Sequence, residues 1–403
     1  MKSPELLAPA GNFEKLETAL HYGADAVYMG ISGLSLRAKA DNFTFKELQQ
    51  AAELVRIKGK KLYITINIFP HNKDISIIKH HLQELRNIKP DGIIISDPGA
   101  VELAMEIAPS IPIHISTQAN ITNYRAAKFW ERLGAKRLVL ARELSIDEIK
   151  EIRDNVSLEL ECFVHGAICI SYSGRCYISS FLTNRSGNLG ECTNSCRWNY
   201  TLMEEMRPEQ RHPVYENDRG TYVMSSRDLC MIGHLDKLAD AGVNSFKIEG
   251  RMKGINYVAG VVKTYREALD QLDQGTYAEN EQWMKELSMF SSRGYTTGMF
   301  FGKQPDKDYN HDETNKYTMS HELVGIVKSL DNGNTHIALR NTLNVGDKIQ
   351  FLSSGIENRS YEIKKMFNKE GHPIETGRNE HIVIIPSETG VRVNDLVRRP
   401  INS

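Results

Sequence analysis

The stretch Gly92-Ile93-Ile94-Ile95-Ser96-Asp97 decides the fold. Side chains alternate across a strand, so three consecutive isoleucines make both faces apolar, as a parallel strand covered on both sides requires. Comparable runs lie on either side of it. Leu6–Ala10, Ala26–Gly30, Lys61–Phe69, Ile111–Ser116, Arg137–Arg142, Leu158–Phe163 and Ser245–Glu249 read as strands, which makes eight in all. Segments of helical spacing separate them. Phe13 to Tyr22 is one, and Gly23 ends it before the second strand. Eight βα units predict a (β/α)8 TIM-like barrel, closed by a last helix near Tyr257 to Leu272. An open doubly wound sheet is the competing arrangement. No G-x-G-x-x-G follows the first strand, which disfavours a dinucleotide-binding version of that sheet.

In such a barrel the ends of the strands carry the active site. Here those ends hold Asn67, Asp97, Ser116 with Gln118, Arg142 with Glu143, His165, and Lys247, Glu249 and Arg251. Each alone reads equally well as a helix cap or an ion-pair partner. An apolar strand has no structural need for so many polar groups at one end. Strand alternation predicts that Lys247, Glu249 and Arg251 share a face. Gly250 would let the backbone bend closely around a small ligand.

Most connections are short, but about 80 residues separate the seventh and eighth strands. This insertion, about residues 164–240, carries Cys169, Cys176, Cys192 and Cys196 in a C-x6-C-x15-C-x3-C array. The chain has six cysteines, and five of them fall between 162 and 196. Soft thiolates select zinc or an iron–sulfur cluster. Structural zinc favours short paired spacings, which only the last pair approaches, whereas a cluster tolerates irregular ones. Plain buried cysteines are the third reading. A disulfide framework fits poorly, because nothing marks the chain as secreted. Cys162 sits in a strand and Cys230 stands alone, so both read as core residues.

Residues 1–302 form the expected barrel domain with its insertion, 303–318 a polar linker, and 319–403 a second domain. The last part alternates through Leu323-Val-Gly-Ile-Val-Lys, His336-Ile-Ala-Leu, Asp347-Lys-Ile-Gln-Phe-Leu and His381-Ile-Val-Ile-Ile, with turns between. That pattern predicts a small antiparallel β barrel. Its role is either a packing cap or, by likeness to small barrels of translation proteins, RNA docking. The linker marks it as separable from the barrel domain.

Length and composition agree with two soluble domains. The chain has 403 residues, 40% hydrophobic and 25% charged. No apolar run approaches the length of a membrane span, and the N-terminus lacks a signal-peptide core. The expected location is the cytoplasm, with no membrane partner. Net charge is −1, from 50 basic and 51 acidic residues, so any nucleic acid must be met by a local patch.

The run Glu161-Cys-Phe163, His165-Gly-Ala-Ile-Cys169, Ser173-Gly-Arg-Cys176-Tyr-Ile-Ser179 closely resembles the signature of the collagenase-like peptidase family U32. The resemblance runs from Glu5-Leu-Leu-Ala-Pro-Ala-Gly11 through Lys247-Ile-Glu-Gly-Arg251 to the C-terminal β domain. It implies an O2-independent hydroxylase whose four cysteines, Cys169, Cys176, Cys192 and Cys196, hold a [4Fe-4S] cluster. Gly190-Glu-Cys-Thr-Asn-Ser-Cys-Arg-Trp198 and the chain length look most like the tRNA uridine hydroxylase branch. That branch implies tRNA as partner, 5-hydroxyuridine at the wobble position as product, and prephenate as oxygen-supplying co-substrate. Prephenate carries two carboxylates, and Arg142, Lys247 and Arg251 are the countercharges at the strand ends. Asn67, Ser116 and Gln118 complete the expected substrate-binding set. His165 or Glu249 would move protons, with His165 favoured because an imidazole titrates near neutrality; it should sit beside the cluster. Ribosomal RNA or a quinone precursor is the alternative substrate. The ribosomal branch tends to be longer than this chain, and the quinone branch lacks the C-terminal barrel. The peptidase of the family name is the alternative activity, but neither His-Glu-x-x-His nor Gly-x-Ser-x-Gly occurs.

Overall fold

The computed structural model of the protein describes residues 3–31, 43–169, 171–197, 215–217, 220–222, 227–290, 294–302, 319–331, 333–355, 358–386 and 390–401. The expected linker at 303–318 and most of residues 198–226 lie outside these.

Strand β1 (Glu5–Pro9) leads to α1 (Phe13–His21), started by Asn12, whose side chain accepts the Lys15 N–H. Gly23, at φ +100°, turns the chain into β2 (Ala26–Gly30). A capping box of Thr44 and Glu47 starts α2 (Phe45–Ile57). Then follow β3 (Lys61–Ile66), α3 (Ile75–Ile88), β4 (Gly92–Ile95), α4 (Pro98–Ile107), β5 (Ile113–Ile115), α5 (Tyr124–Arg132), β6 (Arg137–Val139), α6 (Ile146–Asn155) and β7 (Glu159–Gly166). The insertion holds α7 (Ile178–Thr183), β8 (Tyr215–Asn217), β9 (Gly220–Tyr222), β10 (Asp228–Cys230) and α8 (Leu235–Asp240). The last barrel strand is β11 (Ser245–Ile248), followed by α9 (Ile255–Asp273), α10 (Glu281–Ser288) and β12 (Tyr295–Thr296).

The sheet closes. β11 pairs in parallel with β1 on one side and with β7 on the other, so eight parallel strands form a barrel. Ile93, Ile94 and Ile95 are buried, as their two-sided apolarity requires. Two features were not expected. β10 adds antiparallel to β7 and carries β12, extending the sheet beyond the closed barrel. Several strands also stop short of the apolar runs, so Asn67, Ser116 and Arg142 lie in the loops just past β3, β5 and β6.

Beyond the barrel, β13 (His321–Asp331), β14 (Asn334–Leu339), β15 (Leu343–Asn344), β16 (Lys348–Leu352), β17 (Arg359–Glu362), β18 (Phe367–Asn368), β19 (Thr376–Gly377), β20 (Ile382–Pro386) and β21 (Leu396–Pro400) form antiparallel pairings. The result is a curled antiparallel sheet with its own core around Val324, Val327, Phe351 and Val397. It is less separable than the polar linker suggested. Ile326, Leu352 and Leu396 belong to the barrel's core, and Arg398 forks onto Glu286 of α10 at 2.7 and 2.9 Å. Buried Tyr22 donates its hydroxyl to Leu352 O at 2.5 Å and accepts the Leu396 N–H at 2.9 Å. Tyr22→Phe should therefore cost about 1–3 kcal/mol for each backbone group left unpartnered. Urea unfolding measures it, and an unchanged midpoint would show that water reaches both groups.

Candidate active site

At its N-terminal end the barrel is filled by charge rather than hydrocarbon. Arg137, 2% exposed, reaches Glu5 at 2.7 Å, Glu159 at 2.7 Å and Glu161 at 3.0 Å. Tyr63 donates to Glu5 at 2.8 Å. Lys247 completes the network from β11, with Nζ 2.7 Å from Glu161. Burial pushes the Glu161 carboxyl up, but the ammonium of Lys247 and the guanidinium of Arg137 outweigh it and hold it below the usual range. These are inward positions of β1, β6, β7 and β11, alternating with the outward apolar ones.

Two rings cover this layer. Lys247 Nζ lies 4.5 Å from the Tyr28 ring centre and 5.4 Å from that of Phe163. Arg251 approaches Tyr28 at 5.8 Å, and Arg142 lies over Phe163 at 4.0 Å. Arg251 also donates to Thr65 Oγ1 at 3.1 Å, and Arg142 to Ala167 O at 3.2 Å. The three predicted cations are thus gathered around Tyr28 and Phe163 at the strand ends. Neither ring was singled out from sequence. Their signal is position, the third residue of β2 and the fifth of β7, both inward.

Two expectations about this strand need correcting. β11 ends at Ile248, so Arg251 stands in the following turn rather than on one strand face with Lys247 and Glu249. Gly250 makes room for a protein ring, not a ligand: a Cβ there would come 2.5 Å from the Tyr257 ring. Glu249 is half-buried, and its backbone N–H donates to His165 O at 2.9 Å.

His165 is corrected as well. Its ring is packed against Tyr257, Tyr265 and Tyr295, with centroids 5.8, 5.4 and 5.4 Å away; the first two belong to α9. Burial drives its pKa down to about 3, with Asp228 opposing only partly. It therefore does not titrate near neutrality. Tyr265 donates to Val164 O at 2.8 Å, and its hydroxyl lies 3.3 Å from His165 Nδ1. The unfolded chain binds a proton at this residue below about pH 6.5 while the folded one does not until about pH 3. Stability should thus rise with pH across that window. His165→Gln should flatten the slope, read as unfolding midpoints; an unchanged slope would place the acid sensitivity elsewhere.

The insertion is clamped over the mouth. Ser173 donates from N and Oγ to the Glu143 carboxylate at 2.6 and 2.9 Å. Arg175 donates from Nε and Nη2 to Gln118 O at 3.0 and 2.8 Å, with Phe69 under its guanidinium at 5.6 Å. Phe69 N–H reaches Asn188 O at 3.1 Å. Ser116 donates to the Gln118 side chain, and Asn67 is buried beside β3. Glu143 and Asp97 do structural work, since Asp97 caps α4 through Ala100 N–H.

Cys169, Cys176, Cys192 and Cys196 form no disulfide and lie, exposed or half-buried, on this one segment. Cys192 Sγ accepts the Asn194 N–H at 3.3 Å. The donor set suits a soft metal or an iron–sulfur cluster. Among the described residues, however, no three His, Cys, Asp or Glu side chains are gathered as a metal site. Binding would have to draw the thiols together. Cys162 and Cys230 are buried, and burial pushes the Cys230 thiol up to about 11.

Fold and site together define a (β/α)8-barrel protein whose polar cluster lies at the strand C-termini, the face on which barrel enzymes work. Residues 11–310 match peptidase family U32 and residues 319–398 match the peptidase family U32 C-terminal domain. The chain belongs to peptidase family U32. It is 38% identical to tRNA hydroxylation protein P1 of Bacillus subtilis, over 94% of this chain and 90% of that one. Identity to tRNA hydroxylation protein P of Haemophilus influenzae is 34%, over 99% and 97%. A solved U32 peptidase is similar at a TM-score of 0.42 and 17% identity, over 62% of this chain and 95% of that one.

Proposed function

We propose that the chain is an RNA-modifying enzyme that hydroxylates tRNA. Near full-length similarity to proteins named for tRNA hydroxylation supports this substrate. In finer detail, the reading is O2-independent formation of 5-hydroxyuridine at the wobble position, with prephenate supplying the oxygen. The observation that carries the co-substrate is the gathering of Arg142, Lys247 and Arg251 around Tyr28 and Phe163, beneath the thiol-bearing insertion. Arg142 and Arg251 suit the two carboxylates, while Lys247, tied to Glu161, holds the floor of the site. Asn67, Ser116 and Gln118 would position the bound acid from the facing loops. Glu249 is the better-placed proton carrier, because His165 stays neutral. Cys169, Cys176, Cys192 and Cys196 would hold a [4Fe-4S] cluster, which supplies redox or Lewis-acid chemistry when bound.

No helix of the described chain is long and apolar enough to cross a membrane, and we place the reaction in the cytoplasm. Peptidase activity is the weaker reading. Buried Cys162 and Cys230, with thiols pushed up, are not thiolate nucleophiles at neutral pH.

Mass spectrometry of tRNA from a deletion strain tests the activity, with loss of 5-hydroxyuridine expected. Arg251→Lys tests the co-substrate. An ammonium cannot copy the two parallel hydrogen bonds of a guanidinium. The lost charged bond, worth about 1.5–3 kcal/mol, should weaken prephenate use roughly ten- to hundredfold. RNA affinity should hold, because phosphate contacts are many and individually modest. Unchanged prephenate affinity with lost tRNA binding would move Arg251 to the RNA surface.

A further inference from the structure

Helix α7 is amphipathic the wrong way round for a helix that packs on a core. Its buried side chain is Ser179, 1% exposed, whose hydroxyl donates to Arg185 O at 2.7 Å and accepts the Thr193 N–H at 3.1 Å. Its large apolar side chains face out. Phe181 is 77% exposed, and Tyr177, just before the helix, is 73% exposed. Ile178, Leu182 and Tyr172 are exposed beside them. Of five large exposed aromatic side chains among the described residues, Phe129, Tyr172, Tyr177, Phe181 and Phe301, three fall within this segment. Large apolar side chains exposed this close together along the chain mark an interaction surface.

Charge selects the occupant. The whole chain has a net charge of −1, yet residues 164–197 hold three arginines, Arg175, Arg185 and Arg197, against one acid, Glu191. Exposed rings in a segment whose charged residues are mostly arginine suit an unpaired nucleic-acid strand: bases stack on the rings while the net positive charge of the segment favours the phosphates. An aliphatic protein partner would ask for neither. The platform is also fixed in place, because Arg175 and Ser173 clamp its segment to the barrel mouth. Tyr177 directly follows Cys176.

We propose that Tyr177 and Phe181 form a stacking platform for unpaired bases of an RNA loop. The platform delivers the base to be modified beside the thiol-bearing segment. This rests on the tRNA-hydroxylase reading and assigns the residues that would recognise a loop rather than a helix.

The test is binding of the anaerobically purified chain to an anticodon stem–loop carrying 2-aminopurine in the loop, against a duplex of the same stem. Tyr177→Ala and Phe181→Ala should each weaken loop binding about 5- to 150-fold and relieve 2-aminopurine quenching. Duplex binding should not change, since it depends on phosphate contacts. Tyr177→Phe and Phe181→Tyr keep a ring and should retain loop affinity. Circular dichroism and iron content check that the variants remain folded and loaded. Full loop affinity in the alanine variants would overturn the platform while leaving the RNA reading intact. A wild-type chain that binds neither RNA would overturn both. Loss of self-association with unchanged loop affinity would give the patch to a second copy of the chain and overturn the inference.

Discussion

Replacing Glu161 by alanine is expected to destabilise the protein by about 3–5 kcal/mol, the cost of breaking a buried ion pair and stranding its partners. Glu161 is 0% exposed and bonds both Lys247, at 2.7 Å, and Arg137, at 3.0 Å. Its removal leaves a buried ammonium and a buried guanidinium short of countercharge. Lys247→Met in the same chain should recover part of the loss, because an apolar side chain needs no partner. The pH dependence has a definite sign. Glu5 and Glu161 both have folded pKa values held below the usual 4.5. Their contribution is present above the unfolded value and is lost as pH falls through the folded ones. The gap between wild type and variant should therefore be full at neutral pH and shrink under acid. Guanidinium unfolding across pH measures it. A Glu161→Ala protein as stable as wild type at neutral pH would show that the network is solvated.

On the proposed cluster reading, Cys192→Ala should abolish cofactor binding and, with it, the proposed tRNA hydroxylation. Anaerobic wild-type protein should be brown, with iron and acid-labile sulfide each near about four per chain for a cubane cluster. Cys192 Sγ accepts the Asn194 N–H at 3.3 Å, and Gly187 packs beside it, where an added Cβ would stand 3.6 Å from Cys192 Cβ. The alanine variant should lose colour and iron but keep its far-ultraviolet dichroism, since the barrel core lies elsewhere. Cys230→Ala should stay brown, because that thiol is buried against Tyr265. Stoichiometric zinc without sulfide would sink the cluster, and an iron-replete Cys192→Ala would remove this residue from the ligand set.

The barrel was legible because its evidence is local and repeated. Each βα unit carries its own apolar run and its own stop, as in Gly23 after α1, and eight of them leave few ways to bury so many two-faced strands. The cations were legible at Arg142 and Lys247 for the same reason, their place at strand ends. Arg251 lies beyond the reach of strand alternation, because β11 ends at Ile248 and a turn brings it to the Tyr28 ring. His165 shows the limit. Its place in the motif is a sequence fact, but its proton affinity depends on three tyrosines, two of them about a hundred residues away on α9.

The sequence by itself thus determined the barrel, the insertion, the four-thiol segment and the polar strand ends, because period, spacing and residue type are properties of neighbouring positions. Only the tertiary structure decided that Glu161 and Arg137 neutralise the floor beneath Lys247, that Tyr28 and Phe163 gather the cations, that the C-terminal sheet shares the barrel's core, and that α7 turns its rings outward. Those depend on contacts between residues far apart in the chain. Burial and partner charge, which set ionisation and exposure, exist only once the barrel has closed.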